Sequence, residues 1–248
     1  MTKTILITGG SRGIGRATAL LCGARGWNVA INFANDAEAA NSAVAAVEQA
    51  GGIAFALQGD VRDEAAMIAL FDRAVQTYGA IDGVVNNAGI VAPKSTVAEM
   101  DIDRMRRVFD TNVLGAYLVA REAARRMARS AGGHGGSIVN VSSAAARLGS
   151  AFEYVDYAGS KGAVDTLTTG LSNELAAEGV RVNAVRPGLI ETDIHASGGQ
   201  PGRAARIGAQ TPLGRAGTAT EVANAILWLL SDEASYVTGA FVDVSGGR

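Results

Sequence analysis

Short apolar, β-branched runs alternate along the chain with longer segments in which apolar residues recur at helical spacing. The apolar runs predict seven strands, at residues 3–8, 28–32, 53–57, 81–87, 137–142, 180–187 and 240–244. The amphipathic segments predict helices near 13–25, 36–50, 63–78, 101–130, 155–178 and 220–231. Strands that are apolar on both faces and separated by helices form parallel sheets covered on each side. The pattern therefore predicts a doubly wound α/β fold, in which ligands bind beyond the carboxyl ends of the strands.

No repeat, low-complexity tract or linker divides the chain, and 248 residues suit a single α/β domain. We therefore expect one domain over residues 1–248. Two stretches interrupt the alternating pattern, "AGGHGG" at 131–136 and a segment at 194–219 that contains glycines, Pro201 and Pro212. The first is typical of a loop. The second predicts a substrate lid at 194–213, which would close over the site and shape its pocket.

Composition narrows the class of partner. The 22 basic and 24 acidic residues nearly cancel to a net charge of −2, and no run of like charge predicts a nucleic-acid or membrane surface. The single cysteine, Cys22, excludes an internal disulfide, and with only His134 and His195 no metal site is expected. The apolar runs are too short for a signal peptide or for the roughly 18 residues of a membrane span. We expect a cytoplasmic protein whose partner is a small molecule or another copy of itself.

A glycine-rich turn, "TGGSRGIG", follows the first predicted strand and opens a helix. Glycine permits a tight turn and close backbone approach, and the free N–H groups of a helix start favour a pyrophosphate. The usual G-x-G-x-x-G fingerprint is not matched, because Thr18 stands where a third Gly or Ala would lie. Spacing alone allows a structural turn, but the strand–glycines–helix context favours phosphate binding. The candidate cofactor contacts here are Gly9, Ser11, Arg12, Gly13, Ile14 and Gly15.

Other predicted strand ends carry polar or small residues where apolar ones would suffice. The candidate contacts at these ends are Asp60, Val61, Asn87, Ala88, Gly89, Pro187 and Gly188. Each has a structural alternative, since Asp60 could cap the next helix and Asn87 could adopt a left-handed turn conformation. Because adjacent ends of one sheet lie together, the set predicts a ligand crevice.

Within "EYVDYAGSK" the spacing of Tyr157 and Lys161, i and i+4, puts both side chains on one face of a helix. A free phenol has a pKa of about 10, so chemistry near neutral pH needs roughly 4 kcal/mol of help. An ammonium about 4 Å away supplies about that much at an effective dielectric of about 20. The residue four after Tyr154 is Ala158, so we interpret Tyr154 as a packing or substrate-wall aromatic. Tyr157 is the predicted acid/base.

Five motifs in order, "TGGSRGIG", "NNAG", "NVSS", "YAGSK" and "RPGLIETD", together with the ending "SDEASYVTGAFVDVSGG", resemble the short-chain dehydrogenase/reductase family. The resemblance spans essentially the whole chain and implies a Rossmann fold and NAD(P)-dependent hydride transfer. It implies a catalytic tetrad of Asn112, Ser143, Tyr157 and Lys161. The chain resembles the family's glucose 1-dehydrogenase and 3-oxoacyl-[acyl-carrier-protein] reductase members about equally.

By this resemblance Tyr157 exchanges a proton with the substrate oxygen, while Lys161 lowers the pKa of the phenol and holds the nicotinamide ribose. Ser143 would hydrogen-bond the same oxygen, and Asn112 would anchor a water that links Lys161 to solvent. Ser143 precedes Tyr157 by 14 residues, one more than is common in the family, so Ser142 is an alternative. Alternation along the strand directs the two serines to opposite faces, and only one can serve. The family also implies cofactor contacts from Ile190 and from Thr192, whose counterpart meets the nicotinamide carboxamide.

Cofactor preference depends on the end of the second strand. Relatives that prefer NAD place an acidic residue there to hold the ribose diol, but Phe33 stands at the aligned position. Arg12 could meet a 2′-phosphate, although it could also be a solvated surface residue. Asp36 is the opposing candidate for NAD, yet it is well placed to cap the next helix. NADP(H) is therefore expected rather than NAD(H).

The leading hypothesis is an NADP(H)-dependent oxidoreductase that interconverts a secondary alcohol and a ketone. A dinucleotide-binding sensor or scaffold without turnover is an alternative from another class, and an epimerase or dehydratase of the family is a closer one. The resemblance implies a homotetramer that pairs the helices of Asn112 and Tyr157. Tyr154, with Glu153 and Asp156, is the candidate substrate wall.

Overall fold

The computed structural model describes residues 2–248, so the first residue of the predicted domain lies outside the described residues. The strands are β1 (Thr4–Ile7), β2 (Asn28–Phe33), β3 (Ile53–Gln58), β4 (Gly83–Asn86), β5 (Gly136–Val141), β6 (Val180–Pro187), β7 (Ile190–Glu191), β8 (Gly217–Thr218) and β9 (Phe241–Val244). The α-helices are α1 (Gly13–Ala24), α2 (Ala37–Gln49), α3 (Glu64–Tyr78), α4 (Ile102–Phe109), α5 (Gly115–Met127), α6 (Ala145–Leu148), α7 (Val155–Leu175), α8 (Ile194–Ser197), α9 (Arg203–Gly208) and α10 (Ala219–Leu230).

Seven strands form one parallel sheet in the order β3-β2-β1-β4-β5-β6-β9. The strand order reverses between β1 and β4, which creates a crevice beyond their carboxyl ends. The predicted doubly wound fold is therefore confirmed, and all seven predicted strands belong to this sheet.

Alternate residues of the central strands feed two apolar cores, one on each face of the sheet. Leu6 of β1 packs into the core that contains residues of α3, α5 and α7, whereas Ile5 and Ile7 pack into the core that contains residues of α1, α2 and α10. A parallel strand covered on both faces reads as a continuous apolar run, which is why β1 was recognisable in the sequence.

The structure differs from the predicted pattern in several places, and the short helices α6, α8 and α9 were not predicted. The helix expected over 101–130 is interrupted by a π-helical turn at Asp110–Leu114 that separates α4 from α5. The short strands β7 and β8, which pair with each other, were not predicted, because two residues are too few to show an alternating pattern. Among the helices of residues 2–248, none combines the length and apolar character needed to cross a membrane.

A buried ion pair joins α4 to the start of α7. The Arg104 guanidinium donates from Nε to Oδ2 of Asp156 at 2.8 Å and from Nη2 to Oδ1 at 3.2 Å, and both side chains are almost fully buried. Arg104 also donates to the carbonyl of Pro93, in the loop after β4. The pair thus connects that loop, α4 and the residue that precedes Tyr157.

Replacing Asp156 by Ala should lower the free energy of unfolding by about 3–5 kcal/mol, because it leaves the Arg104 charge buried without a partner. The measurement is urea unfolding at pH 7. Asp103→Ala is the matched control, since it removes a carboxylate that pairs with Arg106 across 3.8 Å on the exposed face of the same helix. Solvent screens such an exposed pair, so we expect Asp103→Ala to change the free energy of unfolding very little. Equal losses in both variants would contradict the assignment of the buried pair.

Candidate active site

The turn after β1 needs glycine at three positions. Gly9 and Gly13 have φ values of 61° and 53°, in the left-handed region that glycine adopts without strain. A Cβ on Gly15 would lie 2.4 Å from the carbonyl oxygen of Gly9, closer than any side chain tolerates. The third position of the usual fingerprint is filled by Thr18, whose buried hydroxyl donates to the carbonyl of Ile14 at 2.8 Å within the helix.

Thr8 and Asn87 fasten this turn to the neighbouring strand end. The Thr8 hydroxyl accepts from the backbone N–H groups of Asn87 at 3.0 Å and Ala88 at 3.1 Å. In return the Asn87 side-chain amide donates to the carbonyls of Thr8 at 2.9 Å and Gly9 at 3.1 Å. The left-handed alternative for Asn87 is wrong, because among non-glycine residues 2–248 only Ser150 and Phe152 have positive φ.

The start of α1 fits an anionic group. The Arg12 side chain makes no capping hydrogen bond, and no acidic residue lies in the first turn of the helix. The first N–H groups of a helix have no intrahelical acceptor, and the helix dipole adds partial positive charge there. This cradle suits the pyrophosphate of a dinucleotide.

Acidic residues near the ends of β2 and β3 are already engaged. Asp60 forms a bidentate pair with Arg62, with the closest contact at 2.6 Å, and this pairing lowers the pKa of the Asp60 carboxyl. Asp60 does not cap α3, since Asp63 does so through the N–H groups of the first turn. Asp36 caps α2 by accepting from the N–H of Ala39 at 2.9 Å, as the structural alternative predicted.

Tyr157 and Lys161 lie together on α7, as their spacing predicts. The Lys161 ammonium is 5.8 Å from the centre of the Tyr157 ring and donates to the Val141 carbonyl of β5 at 2.7 Å. Lys161 is almost completely buried, whereas Tyr157 keeps partial exposure to the crevice. The phenol is therefore the accessible member of the pair.

Desolvation dominates the electrostatics of this pair. Burial lowers the pKa of Lys161 from 10.5 to about 8, and Asp165 opposes that change by its negative charge. Surrounding protein raises the pKa of the Tyr157 phenol above its ordinary value of 10, while a side-chain hydrogen bond with Ser143 acts in the opposite direction. The net change in the phenol pKa is thus upward, because desolvation outweighs the lowering by Lys161 that the sequence predicts. Both groups lose hydration, and the ammonium is directed at Val141.

The two candidate serines have different partners. The Ser142 hydroxyl is buried and donates to the Lys161 carbonyl at 3.2 Å, inside the protein. The Ser143 hydroxyl accepts from the Ala145 N–H at 3.1 Å and interacts with the Tyr157 phenol. This placement favours Ser143 for contact with a substrate oxygen.

Asn112 occupies the π-helical turn, with its side-chain amide fully engaged. Its oxygen accepts from the N–H of Ile90 at 2.8 Å, and its nitrogen donates to the Ile90 carbonyl at 2.9 Å and to Ser160 at 3.1 Å. The amide thus fixes the loop after β4 against α7. A Cβ on Gly89 would lie 3.3 Å from both Asn112 and Lys161, so this loop passes close to the ammonium.

These strand ends enclose one cavity of about 620 Å³, large enough for a cofactor and a small substrate. The predicted site residues that line it are Gly9, Ser11, Arg12, Gly13, Ile14, Asp60, Val61, Asn87, Ala88, Gly89, Ser143, Tyr157, Lys161, Pro187, Gly188, Ile190 and Thr192. Two predicted residues do not line it: Gly15, which packs under the turn, and Asn112, which lies behind Gly89. Thr192 approaches the glycine turn, since a Cβ on Gly13 would be 3.4 Å from its methyl group.

Comparison with known proteins agrees with this geometry. A family model described as Enoyl-(Acyl carrier protein) reductase matches residues 9–248. The chain is 56% identical over 98% of both chains to "Uncharacterized oxidoreductase YgfF" of Escherichia coli. The chain belongs to the short-chain dehydrogenase/reductase family. It is also 41% identical to "L-rhamnose 1-dehydrogenase (NAD(P)(+))" of a Sphingomonas species, over 99% of this chain and 95% of that one. The crystal structure of levodione reductase superposes with a TM-score of 0.91 and 31% identity, covering 99% of this chain and 96% of that one.

As a short-chain dehydrogenase/reductase, the chain is an oxidoreductase of a family that uses a nicotinamide cofactor. Three residues at its site were not singled out from the sequence. Thr8 ends the apolar run of the first predicted strand, and no individual prediction was made for Arg62 or Arg203. Arg62 was detectable as the i+2 partner of Asp60, but nothing in the sequence places Arg203 on the cavity wall.

The buried ammonium of this short-chain dehydrogenase/reductase should cost stability. A Lys161 pKa of about 8 in the folded chain against 10.5 corresponds to about 3 kcal/mol of unfavourable free energy below pH 8. Lys161→Met should therefore raise the free energy of unfolding at pH 7 by up to about that amount, less the lost hydrogen bond to Val141. Between pH 8 and 10.5 the native wild type binds fewer protons than its unfolded state, so its free energy of unfolding rises with pH. The stability advantage of Lys161→Met therefore shrinks across that window.

The measurement is urea unfolding at pH 7 and pH 10, with the exposed Lys94→Met as control. An advantage of Lys161→Met that did not shrink with rising pH would contradict this explanation.

Proposed function

We propose that the protein is an NADP(H)-dependent oxidoreductase that interconverts a secondary alcohol and a ketone, with Tyr157 as general acid and base. One observation carries the proposal. The partly exposed Tyr157 phenol, in contact with Ser143 and near Lys161, opens into the same cavity as the glycine turn and the start of α1. A dinucleotide held at that turn and a substrate at the phenol would share one enclosure.

The dinucleotide would lie with its pyrophosphate on the α1 start, held by the turn residues Gly9 and Gly13. When bound, it supplies the hydride acceptor or donor. The Tyr157 phenol would give its proton to a carbonyl oxygen in reduction, and the Tyr157 phenolate would take a proton from the hydroxyl in oxidation. The Ser143 hydroxyl would donate to the same oxygen, so two donors converge where negative charge develops.

Lys161 assists this proton transfer by its charge. With a pKa of about 8 it is mostly protonated at neutral pH, and a cation near the phenol stabilises the phenolate that forms when the proton leaves. The Asn112 amide would serve by holding the loop at Ile90 beside Lys161. Asn112 would thereby keep a path between the ammonium and solvent in place.

Positive charge at the adenosine end supports NADP(H). Arg12 and Arg62 both line the cavity, but Arg62 is paired with Asp60, whereas Arg12 is exposed and makes no capping hydrogen bond. One oxygen of the Asp36 carboxylate accepts the hydrogen bond that caps α2, and Phe33 has no carboxylate that could hold a ribose diol. A 2′-phosphate would therefore find a cation without displacing an ion pair. The L-rhamnose dehydrogenase relative is named for both cofactors, so the preference rests on Arg12.

The predicted lid at 194–213 and the homotetramer remain predictions that belong to this proposal. The segment contains α8 and α9 and contributes Ile194, His195 and Arg203 to the cavity wall. Large apolar side chains are exposed near Asn112, among them Leu114 and Tyr117, and such a surface is the kind that subunit association covers.

Tyr157→Phe should reduce turnover by at least about a thousandfold with every alcohol or ketone accepted, because the proton donor is lost while binding contacts persist. The measurement is NADPH oxidation and NADP reduction over sugars, ketones and β-ketoacyl thioesters, repeated with NAD(H). The exposed Tyr236→Phe is the matched control. In the same measurement Ser143→Ala should be impaired in turnover far more than Ser142→Ala.

Full turnover by Tyr157→Phe would refute the assignment. Micromolar NADPH binding by the wild type without any turnover would instead indicate the sensor or scaffold, and product formation without net NADPH consumption would indicate an epimerase or dehydratase.

Arg12→Ala should raise the KM for NADPH about 10- to 100-fold and leave the KM for NADH nearly unchanged, since a charge-assisted contact to the 2′-phosphate is lost. Steady-state kinetics with both cofactors measures this. Arg16→Ala is the control, since Arg16 lies in the first turn of α1 and does not line the cavity. An equal effect on both cofactors would show that Arg12 does not select the phosphate.

A further inference from the structure

Contacts between the lid segment and the residues before α7 build one wall of the cavity. Arg203 of α9 pairs with Glu153, and its guanidinium carbon lies 5.2 Å from the centre of the Tyr154 ring. Gln200 donates to the Tyr154 hydroxyl at 2.5 Å. Tyr154, Arg203 and His195 all line the cavity that holds Tyr157. This wall therefore faces whatever substrate reaches the catalytic phenol.

The Tyr154 hydroxyl has a proton to offer. Its oxygen accepts from the Gln200 amide nitrogen, and the amide cannot be reversed, because its oxygen accepts from Arg206 at 3.1 Å. Among residues 2–248, no hydrogen bond takes the proton of this phenol. Burial raises the pKa of Tyr154, so the proton stays on at neutral pH. Tyr154 is thus a neutral donor.

His195 provides the opposite function. Its Nε2 lies 3.0 Å from the carbonyl oxygen of Ile190, and because a carbonyl only accepts, Nε2 carries the proton. Burial and the nearby positive charge of Arg203 lower the pKa of His195 below 6.5, so the ring is neutral at pH 7. Nδ1 then carries a lone pair, and no hydrogen bond reaches it from residues 2–248. His195 is thus a neutral acceptor.

We infer that Tyr154 and His195 form a recognition pair for neighbouring hydroxyl groups, and that the substrate is polyhydroxylated, such as an aldopyranose. A hydroxyl both donates and accepts, so it satisfies either member of the pair. A carboxylate or phosphate only accepts and would oppose the lone pair of Nδ1, and a hydrocarbon would leave both groups unpaired. The inference rests on the proposed function, because it assigns the substrate class of that same site.

The test compares NADP reduction with cyclohexanol, trans-cyclohexane-1,2-diol and a panel of aldopyranoses that includes L-rhamnose and D-glucose. For the wild type we expect kcat/KM to rise at least tenfold from cyclohexanol to the best aldopyranose, since a site with unpaired polar groups discriminates against substrates lacking hydroxyls. Tyr154→Phe keeps the ring and removes the donor. It should lower kcat/KM for that aldopyranose about tenfold and change kcat/KM for cyclohexanol far less.

Two substitutions of His195 separate recognition from packing. His195→Leu and His195→Asn both lose the contact to Ile190, but the Asn side chain can present a polar group near the position of Nδ1. His195→Leu should show a loss of about tenfold in kcat/KM for the aldopyranose, and His195→Asn should recover much of it. Equal losses would assign His195 a structural role and overturn its half of the pair. Tyr236→Phe and His134→Asn, both on the exposed surface, are the matched controls.

Circular dichroism establishes that each variant is folded. The inference falls, and the proposed function stands, if cyclohexanol, a steroid alcohol or a β-ketoacyl thioester is turned over better than every aldopyranose and Tyr154→Phe changes nothing. The proposed function falls, and the inference with it, if no alcohol or ketone is turned over at all. The pair would be established if kcat/KM of the wild type rises with the number of hydroxyl groups on the substrate, and if Tyr154→Phe and His195→Leu each abolish that rise.

Discussion

The hydrogen bonds between Thr8 and Asn87 are the interaction on which the site depends. They join the ends of β1 and β4 where the strand order reverses, so the crevice has a fixed edge. The Thr8 hydroxyl accepts hydrogen bonds from two backbone N–H groups, and the Asn87 amide donates to the carbonyls of Thr8 and Gly9, which belong to consecutive peptide bonds. These contacts satisfy backbone groups that would otherwise lack hydrogen-bond partners within the turn. The glycines permit the conformation of the turn after β1, and the hydrogen bonds of Thr8 and Asn87 stabilise it.

Tyr157 and Lys161 illustrate a conflict between stability and the chemistry proposed for them. Burial lowers the hydration of the Lys161 ammonium, which donates to the Val141 carbonyl and is stabilised by the opposing charge of Asp165. Burial likewise disfavours a phenolate on Tyr157. Functional sites commonly retain buried titratable groups whose charged forms are poorly solvated. Burial of apolar side chains in the two cores stabilises the fold and offsets the unfavourable burial of Lys161 and Tyr157.

Much of this architecture could be read from the sequence, for identifiable physical reasons. Strands buried on both faces leave continuous apolar runs, and the i, i+4 spacing of Tyr157 and Lys161 follows from helix geometry alone. The direction of a buried side chain does not follow from spacing, so neither the contact of Lys161 with Val141 nor the raised pKa of the Tyr157 phenol was predicted. The choice of Asp63 over Asp60 as helix cap depends on where the first turn begins, by a margin of three residues. The position of Arg203 depends on packing between segments fifty residues apart.

The π-helical turn at Asp110–Leu114 explains how one helical segment serves two surfaces. One extra residue in a turn rotates everything after it by about 100° relative to a regular helix. The insertion lets Asn112 reach toward Ile90 while the apolar stripe of α5, with Val119 and Ala123, still meets the sheet. Deleting one residue here would restore a regular helix. That helix could either pack α5 against the sheet or direct the Asn112 amide toward Ile90, but it could not do both. Length, as much as residue identity, is therefore under constraint in this turn.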